Sequence, residues 1–144
     1  MAVSHFFCID GTNLVRGLFG YGGPNFREQE NADRERLIAG LSQLCENLGD
    51  RLEIEVYFDG DGRFSADGEA ANLRVRFARE IEADELILDR VRCRRHEGSG
   101  SVTVVTSDGE LGRMAAEEGG RWLKVAPATA FESVVASIER RFSQ

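Results

Sequence analysis

HFFCIDGTN, residues 5–13, carries a short apolar run directly into an Asp-Gly pair. Asp-Gly is a common tight-turn dipeptide, but a hairpin requires a second alternating run straight after the turn. LVRGLFGYGG, residues 14–23, does not supply one. The run therefore reads as a buried strand that delivers Asp10 to its own C-terminal end, with Asn13 close behind as an orienting amide. Three further runs close in the same way: EIEVYFD on Asp59, LRVRFAREIEAD on Asp84 and SVTVVTSD on Asp108. In a parallel sheet the C-terminal strand ends share one edge, where open α/β folds bind ligands. Carboxylates gathered there within about 5 Å repel by roughly 3 kcal/mol per pair at an effective dielectric of about 20. Such an arrangement calls for a cation or shared protons, and a divalent-metal site is the leading expectation.

Periodicity fills in the rest of the chain. Strands are expected over residues 5–9, 52–58, 73–77, 101–106 and 122–125, and helices over 34–48, 85–95, 110–118 and 130–142. Leu37, Leu41, Leu44, Cys45 and Leu48 form one helical stripe that Gly49 ends, and Leu52, Ile54, Val56 and Phe58 share one strand face. Strands and helices alternate throughout, which predicts an α/β fold with a mainly parallel sheet covered on both faces. Two long polar or glycine-rich loops, 20–31 and 60–71, are expected to be functional rather than idle.

The 144 residues have the length of one domain and are read as one over 1–144. No apolar run approaches a membrane span or a signal-peptide core, so a cytoplasmic protein with no membrane partner is expected. Cys8, Cys45 and Cys93 are odd in number, lack CxxC pairing and sit in apolar segments, which favours reduced core thiols over a disulfide frame or a zinc site. The net charge of −7 argues against a protein that coats nucleic acid non-specifically. Charge is also local: Arg74, Arg76, Arg79, Arg90, Arg92, Arg94 and Arg95 crowd one region, so a polyanion can still dock beside the carboxylates.

Each motif has a structural reading beside the chemical one. Ser107 with Glu110 three residues on forms a capping box, which leaves Asp108 available to the site. Asp84 in EADEL suits a helix N-cap as well as a ligand. Asp59 is a ligand or a supporting group, although Asp61 and the glycines beside it suit a flexible turn. Haloacid-dehalogenase-like phosphatases carry a nucleophilic aspartate where this chain has Cys8, so that reading loses its central residue. His5 and His96 stand alone and neither completes a triad, and GYGGP at 20–24 matches no phosphate-binding glycine loop.

Together, DGTN at 10–13, FDG at 58–60, EADE at 82–85 and VTVVTSDGELG at 102–112 resemble the NYN branch of the PIN-like ribonucleases, most closely its YacP-like group. The resemblance spans His5 to Val125. It implies a three-layer PIN-like fold with strand order 3-2-1-4-5, and an acidic endoribonuclease site that uses Mg2+ or Mn2+ on single-stranded RNA. By position it assigns Asp10, Asp84 and Asp108 as acidic ligands and Asn13 as their polar companion. Glu85 stands where the family often has a second aspartate, and Glu82 where a threonine is usual.

The expected chemistry is metal-activated water attacking a phosphodiester, with Asp59 and Asn13 fixing bound water. Arg16, Arg74, Arg76 and Ser107 are the expected substrate contacts, and Phe19, Tyr21 or Phe26 could stack on an unpaired base. Ribosome-associated mRNA is a candidate substrate. The rival reading is an adaptor of the same fold that binds RNA or the ribosome without turnover. A DNA nuclease of the flap-processing kind is a further rival, but the chain lacks the added helical arch that would hold a duplex.

Overall fold

The computed structural model describes residues 5–19, 26–59, 72–78, 82–98, 100–126 and 131–142. The 60–71 loop with Asp61, the GYGGP stretch with Tyr21, and Arg79 lie outside the described residues, as do the side chains of Phe19, Phe26 and Phe131. The elements in chain order are β1 (His5–Asp10), α1 (Gly11–Phe19), α2 (Phe26–Leu48), a 3-10 turn (Gly49–Arg51), β2 (Leu52–Asp59), β3 (Leu73–Ala78), α3 (Ala83–Glu97), β4 (Ser101–Thr106), α4 (Gly109–Glu117), β5 (Arg121–Lys124) and α5 (Phe131–Phe142). The strands form one sheet in the order β3-β2-β1-β4-β5, and every pairing is parallel.

Period-two alternation sorts the strand residues between two cores. Phe7 and Ile9 of β1 pack with Leu52, Ile54, Val56 and Phe58 of β2 and with α1, α2 and α5. Phe6 and Cys8 point the other way, into a second core with Ile87, Leu88 and Val91 of α3 and Leu111 and Ala115 of α4. The result is the expected three-layer α/β architecture, with helices on both faces.

Two boundaries differ from the periodic reading. Helix α1 starts immediately after Asp10, in a segment where periodicity predicts no element. Only glycine permits this start: a Cβ on Gly11 would lie 2.6 Å from Phe58 Cε1 and 2.8 Å from the Tyr57 carbonyl oxygen. Helix α2 starts at Phe26, so the loop expected over 20–31 is helical in its second half. Arg27, Glu28, Gln29 and Glu30 show no apolar stripe but favour helix intrinsically. Gln29 Nε2 donates to Asp33 Oδ1 at 3.0 Å one turn on, and the Glu30 carboxylate meets Arg16 Nε at 3.2 Å.

Cys8 and Cys45 are buried free thiols, as expected; Cys93 of α3 is free but exposed, so it is not a core residue. Among the described residues no helix is long and apolar enough to cross a membrane.

Candidate active site

At the C-terminal edge of the sheet, Asp10, Asp59, Asp84 and Asp108 line one open pocket of about 410 Å3, together with Thr12, Asn13, Arg16 and Ser107. Asp10 ends the central strand and is 4% exposed. Its Oδ2 accepts the Thr106 hydroxyl at 2.8 Å. Burial pushes the Asp10 carboxyl up to about 7, against the lowering effect of that hydrogen bond, and the charges of Asp84, Asp59 and Asp108 push the same way. Asp84, half-buried, is also raised, first by burial and then by Asp108, Asp59, Glu82 and Glu110. The four aspartates therefore act on one another electrostatically, although they come from four separate segments.

Asp59 and Asp108 each have a second duty. Asp108 is the N-cap of α4, its Oδ1 accepting the backbone N–H groups of Glu110 at 3.0 Å and Leu111 at 3.3 Å. The capping box expected from Ser107 and Glu110 is thus not formed. Ser107 faces α1 instead, donating both its backbone N–H (2.9 Å) and its hydroxyl (2.8 Å) to Asn13 Oδ1. That engagement leaves the Asn13 amide nitrogen as its donor. Asp84 is likewise not an N-cap: Glu82 holds that position without a side-chain bond, and Asp59 Oδ1, arriving from β2, accepts the Ala83 N–H at 3.0 Å. A carboxylate at either helix N-terminus also meets the positive end of the helix dipole.

Asp59 is itself held by its main chain. Its N–H donates to Thr12 Oγ1 at 2.8 Å, and its carbonyl accepts Arg34 Nη2 at 3.3 Å. Arg34 is 7% exposed, and its guanidinium lies 4.9 Å from the Phe58 ring centroid.

The family profile of the YacP-like NYN domain matches residues 7–144. The chain belongs to this family. YacP-like NYN domains are a branch of the PIN-like nucleases. The NYN fold also superposes on the crystal structure of a mutant of Rae1 (YacP) from Bacillus subtilis, with a TM-score of 0.64 at 21% identity, covering 94% of this chain and 77% of that one. At that identity the likeness establishes the fold. No curated protein sequence matches the chain significantly.

In this NYN domain the donor set suits a hard divalent cation: carboxylate oxygens, with hydroxyl and amide groups beside them and no sulfur or imidazole. The Asp10 carboxyl, raised first by burial and then by the charges of Asp84, Asp59 and Asp108, fits a cation, whose charge beside it would favour the ionised form against both effects. Among the described residues no three Asp, Glu, His or Cys side chains are drawn together into a ready-made cage. Asp59, from β2, and Asp108 are each held to a helix N-terminus by a capping bond.

Of the expected substrate contacts, Arg16 and Ser107 line the acidic pocket; Arg74 and Arg76 do not. Those two lie on β3, facing α3, along a separate groove. His5 begins β1 at the opposite edge of the sheet, its ring centroid 5.2 Å from that of Phe142. Thr12, Thr106 and Arg34 contact Asp59 or Asp10 and are neighbours that sequence reasoning misses. Thr106 does stand beside Ser107 and Asp108 in the quoted motif, but a β-branched residue in a β-branched run reads as strand filler.

Proposed function

We propose that this NYN domain is a divalent-metal-dependent endoribonuclease that cuts single-stranded RNA. The observation that carries the reading is the convergence of Asp10, Asp59, Asp84 and Asp108 on one pocket, with Asp10 buried deeply enough to be pushed up to about 7. Asp10, Asp84 and Asp108 would hold Mg2+ or Mn2+, with Asp59 supporting. When bound, such an ion supplies a water of lowered pKa and neutralises charge at a phosphodiester, so no histidine base is needed.

The chain's own groups supply the rest. The amide N–H of Asn13, with its oxygen fixed by Ser107, is oriented to donate to a phosphate oxygen or a bound water. Arg16, on the pocket wall and paired with Glu30, would meet a substrate phosphate. Thr106 fixes the rotamer of Asp10 and, through the backbone of Asp108, the spacing of two of the acids. Water as the nucleophile leaves a 5′-phosphate and a 3′-hydroxyl.

One observation favours the non-cutting adaptor: Asp59 and Asp108 each already engage an oxygen at a helix N-terminus. Incubation with end-labelled single-stranded RNA and DNA, in Mg2+, in Mn2+ or in EDTA, separates the readings. RNA cuts that vanish with chelator, and in folded Asp10→Asn and Asp108→Asn, support the enzyme. RNA binding without cuts under either metal would leave the adaptor.

A further inference from the structure

We propose that the groove between β3 and α3 is a second contact surface for RNA, gripping phosphates of the strand that extends beyond the acidic pocket; this rests on the reading of that pocket as RNA-cutting. β3 is an edge strand, and its Arg74 and Arg76, two residues apart, project to the same face. They are spaced by about 6.7 Å along the strand. Arg90 of α3 lines the same groove, and Arg94, one turn further on, lies over the Phe6 ring on its wall. Two adjoining cavities of about 430 and 390 Å3 share Glu55 and Arg90.

Two of the three carboxylates here, Glu55 and Glu53, are already engaged, whereas Asp89 is exposed. Glu55, 3% exposed, accepts the Tyr57 hydroxyl at 2.7 Å and Arg90 Nε at 3.1 Å, with Arg76 Nη2 at 3.9 Å. Glu53 meets Arg94 Nη1 at 3.6 Å, and Asp89 lies 4.0 Å from Arg92. Arg74 is exposed and has no ion pair among the described residues. Arg74, Arg76 and Arg90 balance Glu53, Glu55 and Asp89 along the two cavities, so the positive excess is the single charge of Arg94 over the Phe6 wall.

Continuity with the pocket favours RNA as the occupant. Arg76 pairs in register with Tyr57, and two residues further along β2 Asp59 enters the acidic pocket from the same sheet face. A strand cut at the pocket must continue somewhere. The guanidinium, with several N–H donors in one plane, is the side chain suited to phosphate along that path.

The test is the salt dependence of binding of a fluorescent single-stranded RNA of about 16 nucleotides, against one of about 4, limits that bracket known single-strand sites. Binding is measured in EDTA for wild type, Arg74→Gln, Arg74→Gln/Arg76→Gln and Arg74→Lys. Each phosphate that an arginine no longer neutralises lowers the slope of log K against log salt by about 0.7, so the double variant should lose about 1.4 on the long RNA. The lysine variant should keep the wild-type slope, and the short RNA should show no difference. Equal slopes for all forms on the long RNA overturn the proposal and leave the groove to an acidic protein partner. An equal loss on the short RNA overturns it too, since the arginines would then act at the pocket. Arg74→Gln, at an exposed position without an ion pair, keeps the test valid should the double variant unfold. Wild-type cleavage of the same RNA in Mn2+ is assayed in parallel. Its absence would defeat the nuclease reading, whereas unchanged slopes with cleavage intact would defeat the groove alone.

Discussion

The Thr106 hydroxyl donates to Asp10 Oδ2 at 2.8 Å and accepts the backbone N–H of Asp108 at 3.0 Å, so one fully buried oxygen joins two of the candidate ligands. Thr106→Val keeps the shape and removes both bonds. Leaving a buried partner unsatisfied costs about 1–3 kcal/mol. Urea melts should show a loss of that size, with cleavage reduced as well, and Thr106→Ser should recover most of both. A valine variant as stable and active as wild type would show that the bridge is dispensable.

Asp10 gives the metal-free protein a distinct pH dependence. Its folded-state pKa of about 7 lies above its ordinary value of 3.8, so between those limits the folded state binds more protons than the unfolded state. Stability in EDTA should therefore fall as pH rises from about 4 to about 7, then level off. Asp10→Asn should remove that component and be the more stable form at about pH 8, by on the order of a few kcal/mol. Mn2+ at about 100 times its Kd should add about 2.7 kcal/mol to wild type at the same pH, and much less to the variant. Parallel stability profiles for the two proteins in chelator would refute the account.

Asp59 and Asp108 separate charge from capping. Asparagine retains an acceptor at either helix N-terminus; alanine retains none. Asp108→Ala and Asp59→Ala should each lose about 1 kcal/mol in thermal or urea melts. Asp108→Asn and Asp59→Asn should stay near wild type in stability while losing metal affinity by titration calorimetry. An asparagine variant that binds Mn2+ as wild type does would remove that residue from the ligand set.

Two glycines are fixed by close approach. A Cβ on Gly112 would sit 2.1 Å from the Trp122 ring, and one on Gly11 would meet Phe58 and the Tyr57 carbonyl. Trp122 is anchored by its indole N–H on the Thr106 carbonyl at 3.1 Å, which limits its retreat. Gly112→Ala and Gly11→Ala should each destabilise by about 1–3 kcal/mol in denaturant melts. Gly11→Ala should also weaken Mn2+ binding, because Asp10 and Thr12 flank it. Neutral melts would mean that the neighbours shift at little cost.

The sequence by itself determined the layers of this protein. Alternation along Leu52, Ile54, Val56 and Phe58, and the helical stripe of Leu37, Leu41, Leu44 and Cys45, are one-dimensional patterns with a single compact solution, and both lie in one core. The absence of a hairpin partner after Asp10 likewise dictated a parallel sheet, whose shared edge brings four distant aspartates together. Tertiary structure alone decided what each acid does there. Local spacing assigned the caps to Ser107 and Asp84, yet Asn13 engages Ser107 from 94 positions away and Asp59 caps α3 from 24 positions away. Arg74 and Arg76 were recognisable as a pair, but which face of which edge they occupy depends on strand order. Periodicity records the preferences of neighbours along the chain; hydrogen-bond partners are chosen by whatever the folded sheet brings within about 3 Å, a distance that no local pattern encodes.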